Sequence, residues 1–245
     1  MNKEKDKIED LKIVIFRNNL RIQDNYPLYN ALNTNDNPNQ NIICIYPLEI
    51  LQGENFGFKS CGDFRKQFIY ESINELKQIF EEKNISFYCV KNIEETLFIL
   101  DKNWNLEIFY EKEVGVEEMI FEQKLEKYTY KSYFTQTLVE AFEIDITKSF
   151  SNFRNKIEKA LKNGKMAIKT PLKVEIKRLS KKLEVQIKNE ELELLNKELI
   201  LKGGENSGIK RIDYYFSNFL HEYYDTRSLV DGFDNSSKLS VSLLR

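Results

Sequence analysis

The chain has 245 residues, of which 41% are hydrophobic and 13% aromatic, which is enough apolar material for one core and an additional unit. Charged residues make up 31%, but 37 basic against 39 acidic side chains leave a net charge of only -2, so the overall charge favours neither a nucleic-acid nor a membrane partner. The charged N-terminal segment MNKEKDKIED lacks the apolar stretch of a signal sequence, and no window approaches the ~18 to 20 apolar residues of a membrane span. We therefore expect a cytoplasmic protein without a membrane partner.

Short apolar runs alternate with longer amphipathic ones through the first half of the chain. Five runs have the length and the β-branched or aromatic content of strands: LKIVIF at 11–16, NIICIYP at 41–47, ISFYCV at 85–90, LEIFY at 106–110 and YTYKSYF at 128–134.

Helix signals fall between these runs. Asn25 followed by Pro27 fits a helix start, and Asp63 can cap the long amphipathic segment after it. Strands that alternate with helices pair in parallel through right-handed crossovers, with helices on both faces. Residues 11 to 135 therefore predict an α/β domain with a doubly wound, five-stranded parallel sheet of the Rossmann-like kind.

Several kinds of site are excluded by residue type. None of the glycine patterns GxGxxG, GxxxxGK or GxSxG is present, and the one histidine, His221, cannot build a histidine-rich metal site. Cys44, Cys61 and Cys89 are widely spaced, so we expect neither a zinc site nor a disulfide framework, and Cys44 and Cys89 read as small core residues. We expect no metal, and any ligand of this domain should lie at the carboxyl edge of the sheet where the strand order reverses.

Cations cluster in one part of the chain. Residues 151–189 contain 12 Lys and Arg against 3 Glu, a local charge of +9. Two interpretations stay open: a solvated, loosely structured connector, or a strip that faces the phosphates of a nucleic acid.

A motif after the first strand carries a family resemblance. FRNNLRIQDN at 16–25 resembles the Phe-Arg-x-x-Leu-Arg-x-x-Asp-Asn loop of the photolyase/cryptochrome family, and GDFRKQFIYESINEL resembles the long second helix of that family. The two arginines, Arg17 and Arg21, can form a self-satisfied network with Asp24 and Asn25, one of which would cap the next helix. We interpret this loop mainly as a structural element.

The segment IFYEKEVGVEEM resembles the place where several family members hold an antenna folate, methenyltetrahydrofolate, through a carboxylate. Glu118 matches that carboxylate, with Glu117 beside it. A carboxylate can accept both donors of the amino-pyrimidine edge of a pterin. The alternative is that both residues favour a helix N-terminus by their charge.

The later motifs resemble DASH-type cryptochromes. Residues 136–163 match their Thr-Leu pair and Phe-x-x-Phe-Arg helix, and GGENSG at 203–208 matches the entry into the flavin domain. The segment that ends in SSKLS resembles the elements that hold FAD in this family, and hydroxyls and a cation at a helix start suit a pyrophosphate. Without the resemblance, SSKLS would indicate only a capped helix start. The residues implied in FAD binding are Tyr223, Ser236, Ser237, Lys238, Leu239 and Ser240.

The resemblance implies the activity of a deoxyribodipyrimidine photo-lyase, in which blue light and FAD repair cyclobutane pyrimidine dimers in single-stranded or UV-damaged DNA, or alternatively photoreception. No catalytic residue is assigned, because the family elements that enclose the flavin rings and bind the lesion are not in the sequence. We expect three regions: an α/β antenna domain at 1–135, a basic connector with a helix at 136–200, and the truncated start of the FAD-binding helical domain at 201–245.

Three functional hypotheses follow from this organisation. The chain is a family member without photorepair of its own, or one half of a split photolyase whose second chain carries the missing helices, or a non-catalytic module that binds a folate or a nucleotide.

Overall fold

A computed structural model describes residues 9–33, 39–55, 57–137, 149–165, 171–195 and 199–236. Its centre is a sheet of five parallel strands, and each of them coincides with one of the five predicted runs. The strands are β1 (Glu9–Ile15), β2 (Ile42–Pro47), β5 (Ser86–Val90), β6 (Trp104–Glu111) and β7 (Thr129–Tyr133), and a small antiparallel pair, β3 (Glu54–Asn55) and β4 (Phe58–Lys59), lies outside this sheet.

The strand order is β5-β2-β1-β6-β7, so the chain moves outward from β1 in one direction and then returns to start again on its other side. Every pairing in the sheet is parallel. The doubly wound α/β fold predicted from the sequence is confirmed, and the strand order reverses between β1 and β6.

Helices cover both faces of the sheet, and further helices follow its last strand in the chain. They are α1 (Tyr26–Asn33), α2 (Asp63–Glu82), α3 (Ile93–Leu100), α4 (Val116–Gln123), α5 (Phe150–Lys162), α6 (Glu205–Asn218) and α7 (Tyr223–Thr226), with 3-10 turns at Leu48–Leu51, Leu220–Glu222 and Phe233–Asn235. No helix among the described residues is long and apolar enough to cross a membrane.

The two faces of the sheet form two cores, because successive strand residues point to opposite sides. Val14 and Phe16 of β1 and its following loop pack with α1 and α2, whereas Leu11, Ile13 and Ile15 pack with α3 and α4. The near-continuous apolar character of the strands follows from this burial on both sides. Cys44 and Cys89 lie fully buried in the first core, as expected for small core residues.

Two helix starts test the capping predictions. The Oδ1 atom of Asn25 accepts a hydrogen bond from the Leu28 backbone N–H at 3.0 Å, so Asn25 caps α1 as predicted. The cap of α2 is Gly62, without a side-chain hydrogen bond, and Asp63 is the first residue inside the helix. The prediction that Asp63 caps α2 is therefore wrong; its charge still lies at the favourable positive end of the helix dipole.

Residues 171–195, which we call the strap, have no helix or ladder strand yet are firmly packed on the α/β domain. Val174 and Leu179 are buried in the first core. Leu183, Val185 and Ile187 pack against the second core, so the strap passes around the β5 edge of the sheet from one face to the other. The hypothesis of a loosely structured connector does not hold for these residues.

Polar contacts hold the strap along its length. Leu179 N–H donates to the Lys83 carbonyl at 2.9 Å, and Glu190 N–H donates to the Cys89 carbonyl of β5 at 2.8 Å. The Cys89 N–H in turn donates to Asn189 Oδ1 at 2.8 Å. Because β5 is an edge strand, the two contacts of Cys89 occupy backbone groups that the sheet itself leaves unpaired.

Candidate functional site

The carboxyl ends of β1 and β6 meet at the point where the strand order reverses, and Arg17 lies there. Its Nη2 atom donates to Glu122 Oε1 of α4 at 2.7 Å and to the Glu111 carbonyl at the end of β6. Its guanidinium lies 5.2 Å from the centre of the Phe121 ring. Only 3% of the Arg17 side chain is exposed, so this arginine is a buried cation that joins the first strand to the fourth helix.

Glu113 is the second charged group at this point. Its Oε1 accepts from Asn18 Nδ2 at 3.0 Å, whereas its buried Oε2 has no hydrogen bond and lies 3.6 Å from Arg17 Nη1. Burial raises the pKa of the Glu113 carboxyl above its ordinary value, and the nearby charge of Arg17 opposes that rise. A buried carboxylate oxygen without a hydrogen-bond donor is uncommon, and the charge of Arg17 is what compensates this one.

Glu118 and Glu117 begin α4 beside this cluster. Arg17 Nη1 donates to the Glu118 carbonyl at 3.4 Å, and the Glu118 side chain is half-buried, whereas Glu117 is exposed. The Glu118 carboxylate bends back over the helix cap, since a Cβ built on Gly115 would meet Glu118 Oε2 at 1.9 Å. This placement agrees with the helix-start interpretation and also brings Glu118 close enough to Glu113 to raise the pKa of that carboxyl.

The loop of residues 16–25, which we call the β1–α1 loop, differs from the predicted network in one respect. Arg21 Nη2 lies 3.5 Å from Asp24 Oδ2, as a self-satisfied loop requires. Arg17 instead turns away from Asp24 toward β6 and α4. Membership of both arginines in one loop network is therefore wrong, because the buried carboxylates Glu113 and Glu122 outcompete an exposed aspartate for Arg17.

The Gly203–Glu205 segment, which we call the latch, fastens the start of α6 to the α/β domain. Both carboxylate oxygens of Glu205 accept backbone N–H groups of the β1–α1 loop, from Ile22 at 2.8 Å and from Gln23 at 2.9 Å. Gly203 N–H donates to Glu71 Oε2 at 2.8 Å, and Gly204 N–H donates to Ser72 Oγ at 2.9 Å. The three hydrogen bonds with carboxylate acceptors are stronger than neutral ones.

Both glycines of the latch are required by its geometry. A Cβ on Gly203 would lie 2.1 Å from the Phe68 carbonyl oxygen of α2. Gly204 has a φ of 103°, a backbone conformation that side chains with a Cβ rarely adopt. The Gly-Gly-Glu motif thus allows the backbone before α6 to approach α2 within hydrogen-bonding distance.

A row of acceptors on α2 completes this junction. Gln67 Oε1 accepts from Leu195 N–H at 2.7 Å, and Glu75 Oε1 accepts from Asn206 N–H at 3.1 Å. Residues 67, 71 and 75 recur every four positions and so share one helix face. Sequence reasoning missed their role, because polar residues at this spacing are also typical of a solvated helix face.

A cavity of about 160 Å³ lies between the β1–α1 loop, α2 and α6. Arg17, Asn18 and Arg21 line it from the loop, Ser72 from α2, and Glu205 from the latch. The lining does not include Tyr223 or Ser236, the two described residues that are implied in flavin binding.

The described flavin-side residues lie after α6. The Tyr223 side chain is 41% exposed, and the Arg227 guanidinium lies 6.0 Å from the centre of its ring. Ser236 is half-buried, and its carbonyl accepts from Arg211 Nη2 at 3.4 Å. Ser237, Lys238, Leu239 and Ser240 lie outside the described residues.

Arg211 organises this region, which sequence reasoning did not anticipate. Its Nη1 lies 2.7 Å from Asp234 Oδ1, and its guanidinium lies 5.0 Å from the centre of the Phe233 ring. It also lies against the buried ring of Tyr215. Arg211 thereby connects α6 with the segment that leads to the serine-rich turn. His221, by contrast, is an exposed residue beside Glu222.

Comparison with known proteins places these features in a family. The DNA photolyase family model matches residues 12–175. Cryptochrome DASH of Gloeobacter violaceus is 29% identical over 94% of this chain and 50% of its own length, and that of Synechocystis sp. is 27% identical over 93% and 50%. The chain therefore spans about half the length of the curated relatives it matches.

Solved structures agree with the sequence relatives. The crystal structure of a Synechocystis sp. cryptochrome superposes with a TM-score of 0.80 and 25% identity, covering 95% of this chain and 52% of that one. A class III photolyase of Agrobacterium tumefaciens shares the fold with a TM-score of 0.71 at 18% identity, covering 95% and 49%. The resemblance drawn from the sequence motifs is confirmed, and the chain belongs to the DNA photolyase family, in which it is similar to DASH-type cryptochromes.

Proposed function

We propose that this chain supplies the α/β domain and the first part of the flavin-binding domain of a DASH-type photolyase/cryptochrome. The family activity would be FAD-dependent, blue-light repair of cyclobutane pyrimidine dimers in DNA, or photoreception. The observation that carries the proposal is the latch. A Gly-Gly-Glu segment that fastens α6 to α2 and to the β1–α1 loop gives the helical part a defined place on the α/β domain.

For FAD, the proposed contacts are Tyr223, the Ser236–Ser237 pair, Lys238, Leu239 and Ser240. Serine hydroxyls and a lysine suit the pyrophosphate of a dinucleotide, and a tyrosine hydroxyl can hydrogen-bond to polar groups of the cofactor. Arg211 supports this part of the site by holding the Ser236 carbonyl and the Asp234 carboxylate. When bound, a reduced flavin would supply the light-driven electron that splits the dimer.

The site would need further helices to enclose the flavin. Tyr223 is 41% exposed, and Phe216 and Leu220 on α6 and the turn after it are 50% and 44% exposed. We propose that photorepair therefore requires the remaining helical part of the domain, whether on the same polypeptide or on a second chain.

An absorption spectrum tests the proposal first. The chain would be purified from a flavin- and folate-replete host, scanned over about 300 to 600 nm, and checked for cofactor released on denaturation. It would then be mixed with a fragment of the Synechocystis sp. cryptochrome that lacks the matched half. Flavin absorption and dimer repair in single-stranded DNA under blue light, in the mixture and in neither part alone, are the expected results. A mixture that binds no flavin would contradict the proposal.

A second candidate function is a folate- or nucleotide-binding module, and the Glu113 Oε2 atom at the switch point, which accepts no hydrogen bond, favours it. Glu118 and Glu113 would accept the paired donors of a pterin. Arg17 would hold the end of β6 and the start of α4 in place. Fluorescence titration with methenyltetrahydrofolate tests this function. The expected result is saturable binding that Glu118→Gln weakens and Glu117→Gln does not, whereas equal titration of all three proteins would exclude it.

A further inference from the structure

The outer side of the strap carries a row of cations whose direction is fixed by the packing underneath. Within residues 171–182, Leu172, Val174 and Leu179 turn toward the first core. Lys173, Lys177, Arg178 and Lys181 lie between or just after these inward positions, and all four are exposed.

Residues 171–182 contain five cations and one acidic residue, Glu175. Glu175 Oε1 lies 3.4 Å from Lys173 Nζ, and both side chains are exposed. Lys177, Arg178 and Lys181 follow without an acidic residue among them. We call these three side chains the basic row.

Hydrogen bonds to the α/β domain anchor the backbone before the basic row and within it. Asp24 N–H donates to the Leu172 carbonyl at 2.8 Å, and Leu172 N–H donates back to Asp24 Oδ1 at 3.1 Å. At the other end, Asn84 Nδ2 donates to the Leu179 carbonyl at 2.8 Å. Cations on an anchored backbone lose less conformational freedom on binding than cations on a free chain.

We infer that the basic row binds the sugar-phosphate backbone of DNA, at a surface of the α/β domain apart from the flavin residues. Its chemistry fits repeated phosphates, because three exposed cations within five residues of an anchored segment match a linear polyanion, and no buried pocket is needed. The helix before the strap has the same sign, since Lys159 and Lys162 of α5 are exposed. The choice of DNA as the polyanion rests on the proposed function, whereas the binding itself needs no flavin.

Charge reversal tests the inference. The triple variant Lys177→Glu, Arg178→Glu, Lys181→Glu would be compared with Lys102→Glu, Lys112→Glu, Lys127→Glu, which changes the net charge equally at exposed positions outside the strap. Binding to a labelled oligothymidylate of about 20 nucleotides, and to a duplex of the same length, would be followed by fluorescence anisotropy. Salt would be varied from about 50 to 200 mM.

The expected result is binding by the unmodified chain with a dissociation constant on the order of 10⁻⁶ M at low salt. The basic-row variant should bind at least about tenfold more weakly, with a salt slope smaller by about 2, since each phosphate contact on a single strand contributes about 0.7. The control variant should keep most of the slope. Comparison of the two probes shows whether single strands or duplexes are preferred.

Three results would overturn the inference: no DNA binding at low salt, equal loss in both variants, or retention on phosphatidylserine vesicles without retention on DNA. Circular dichroism of both variants checks that each is folded. Loss of DNA binding in the basic-row variant would support this inference, and a mixture with the complementary fragment that binds no flavin would contradict the proposed function separately.

Discussion

Arg17 and Arg21 belong to the same motif but have opposite surroundings. Arg17 is 3% exposed and faces the carboxylates of Glu122 and Glu113, whereas Arg21 is 21% exposed and pairs with the exposed Asp24. A buried ion pair that loses one partner leaves an uncompensated charge in a medium of low polarity, whereas an exposed pair is largely replaced by water. The two residues should therefore contribute very differently to stability.

Arg17→Ala is expected to lower the free energy of unfolding by about 3 to 5 kcal/mol. Arg21→Ala, the matched control from the same loop, should change it by no more than about 1 kcal/mol. Urea denaturation followed by circular dichroism measures both. Similar losses in the two variants would show that the buried cluster is not what stabilises this loop.

The Glu113 carboxyl gives the domain a pH dependence with a defined sign. Its pKa is raised above 4.5 in the folded state, chiefly by burial, so the folded protein holds this proton more tightly than the unfolded chain does. The stability it contributes is therefore present at acid pH and declines as the pH rises through the folded pKa. Glu113→Gln should remove that decline while keeping an acceptor for Asn18. Unfolding free energies measured between pH 4.5 and neutrality test this, and an unchanged pH profile in the variant would contradict it.

At the scale of elements, the latch depends on how closely two backbones approach. Gly203 and Gly62 both flank helices, but a Cβ on Gly203 would clash with the Phe68 carbonyl at 2.1 Å, whereas nothing lies within 4 Å of a Cβ on Gly62. Overpacking against a backbone carbonyl cannot be relieved by a side-chain rotation.

Gly203→Ala is expected to weaken the docking of α6 by about 1 to 3 kcal/mol, and Gly62→Ala to leave it unchanged. Amide hydrogen exchange of residues 199–218 reports the docking directly. Faster exchange there in Gly203→Ala, with unchanged exchange in β1 and β6, is the expected pattern. Equal protection in both variants would show that the latch does not hold α6.

The strap is the second element whose anchoring can be measured. Leu179→Ala removes a side chain that is buried in the first core, so it should cost about 2 to 5 kcal/mol through lost burial and the cavity left behind. Leu194→Ala changes a residue of the same strap that is 43% exposed and should cost less than about 1 kcal/mol. Thermal and urea unfolding compare the two. A small loss for Leu179→Ala would mean that the strap contributes little to the core.

At the scale of the whole molecule, the β1–α1 loop joins three parts of the chain. Arg17 reaches the ends of β6 and α4, Ile22 and Gln23 hold the Glu205 carboxylate of the latch, and Asp24 holds the start of the strap. The motif that carried the family resemblance therefore lies where these parts meet. Interactions of this kind connect positions separated by more than 100 residues.

The five strands and the cap of α1 could be predicted because each depends on local pattern: an apolar run buried on both faces, or an asparagine at a helix start. The strap could not be predicted as an anchored segment, although LEVQIK alternates as an extended chain does, because its lysines dominate the composition. The partners of Arg17 could not be predicted either, since Glu113 and Glu122 become neighbours of Arg17 only when β1 and β6 pair. The acceptors on α2 are likewise indistinguishable in sequence from a solvated face.

The course of the strap around β5 also bears on how the protein can be subdivided. A fragment ending at residue 135 would keep all five strands but lose the segment that bonds to Cys89 and covers the first core near Val174 and Leu179. An uncovered edge strand is a template for intermolecular pairing. We expect such a fragment to self-associate into oligomers that light scattering detects, whereas a fragment extended to residue 195 stays monodisperse; equal scattering from both would contradict this. The smallest stable unit of the α/β domain would then be set by a stretch of chain that contributes no strand to its sheet.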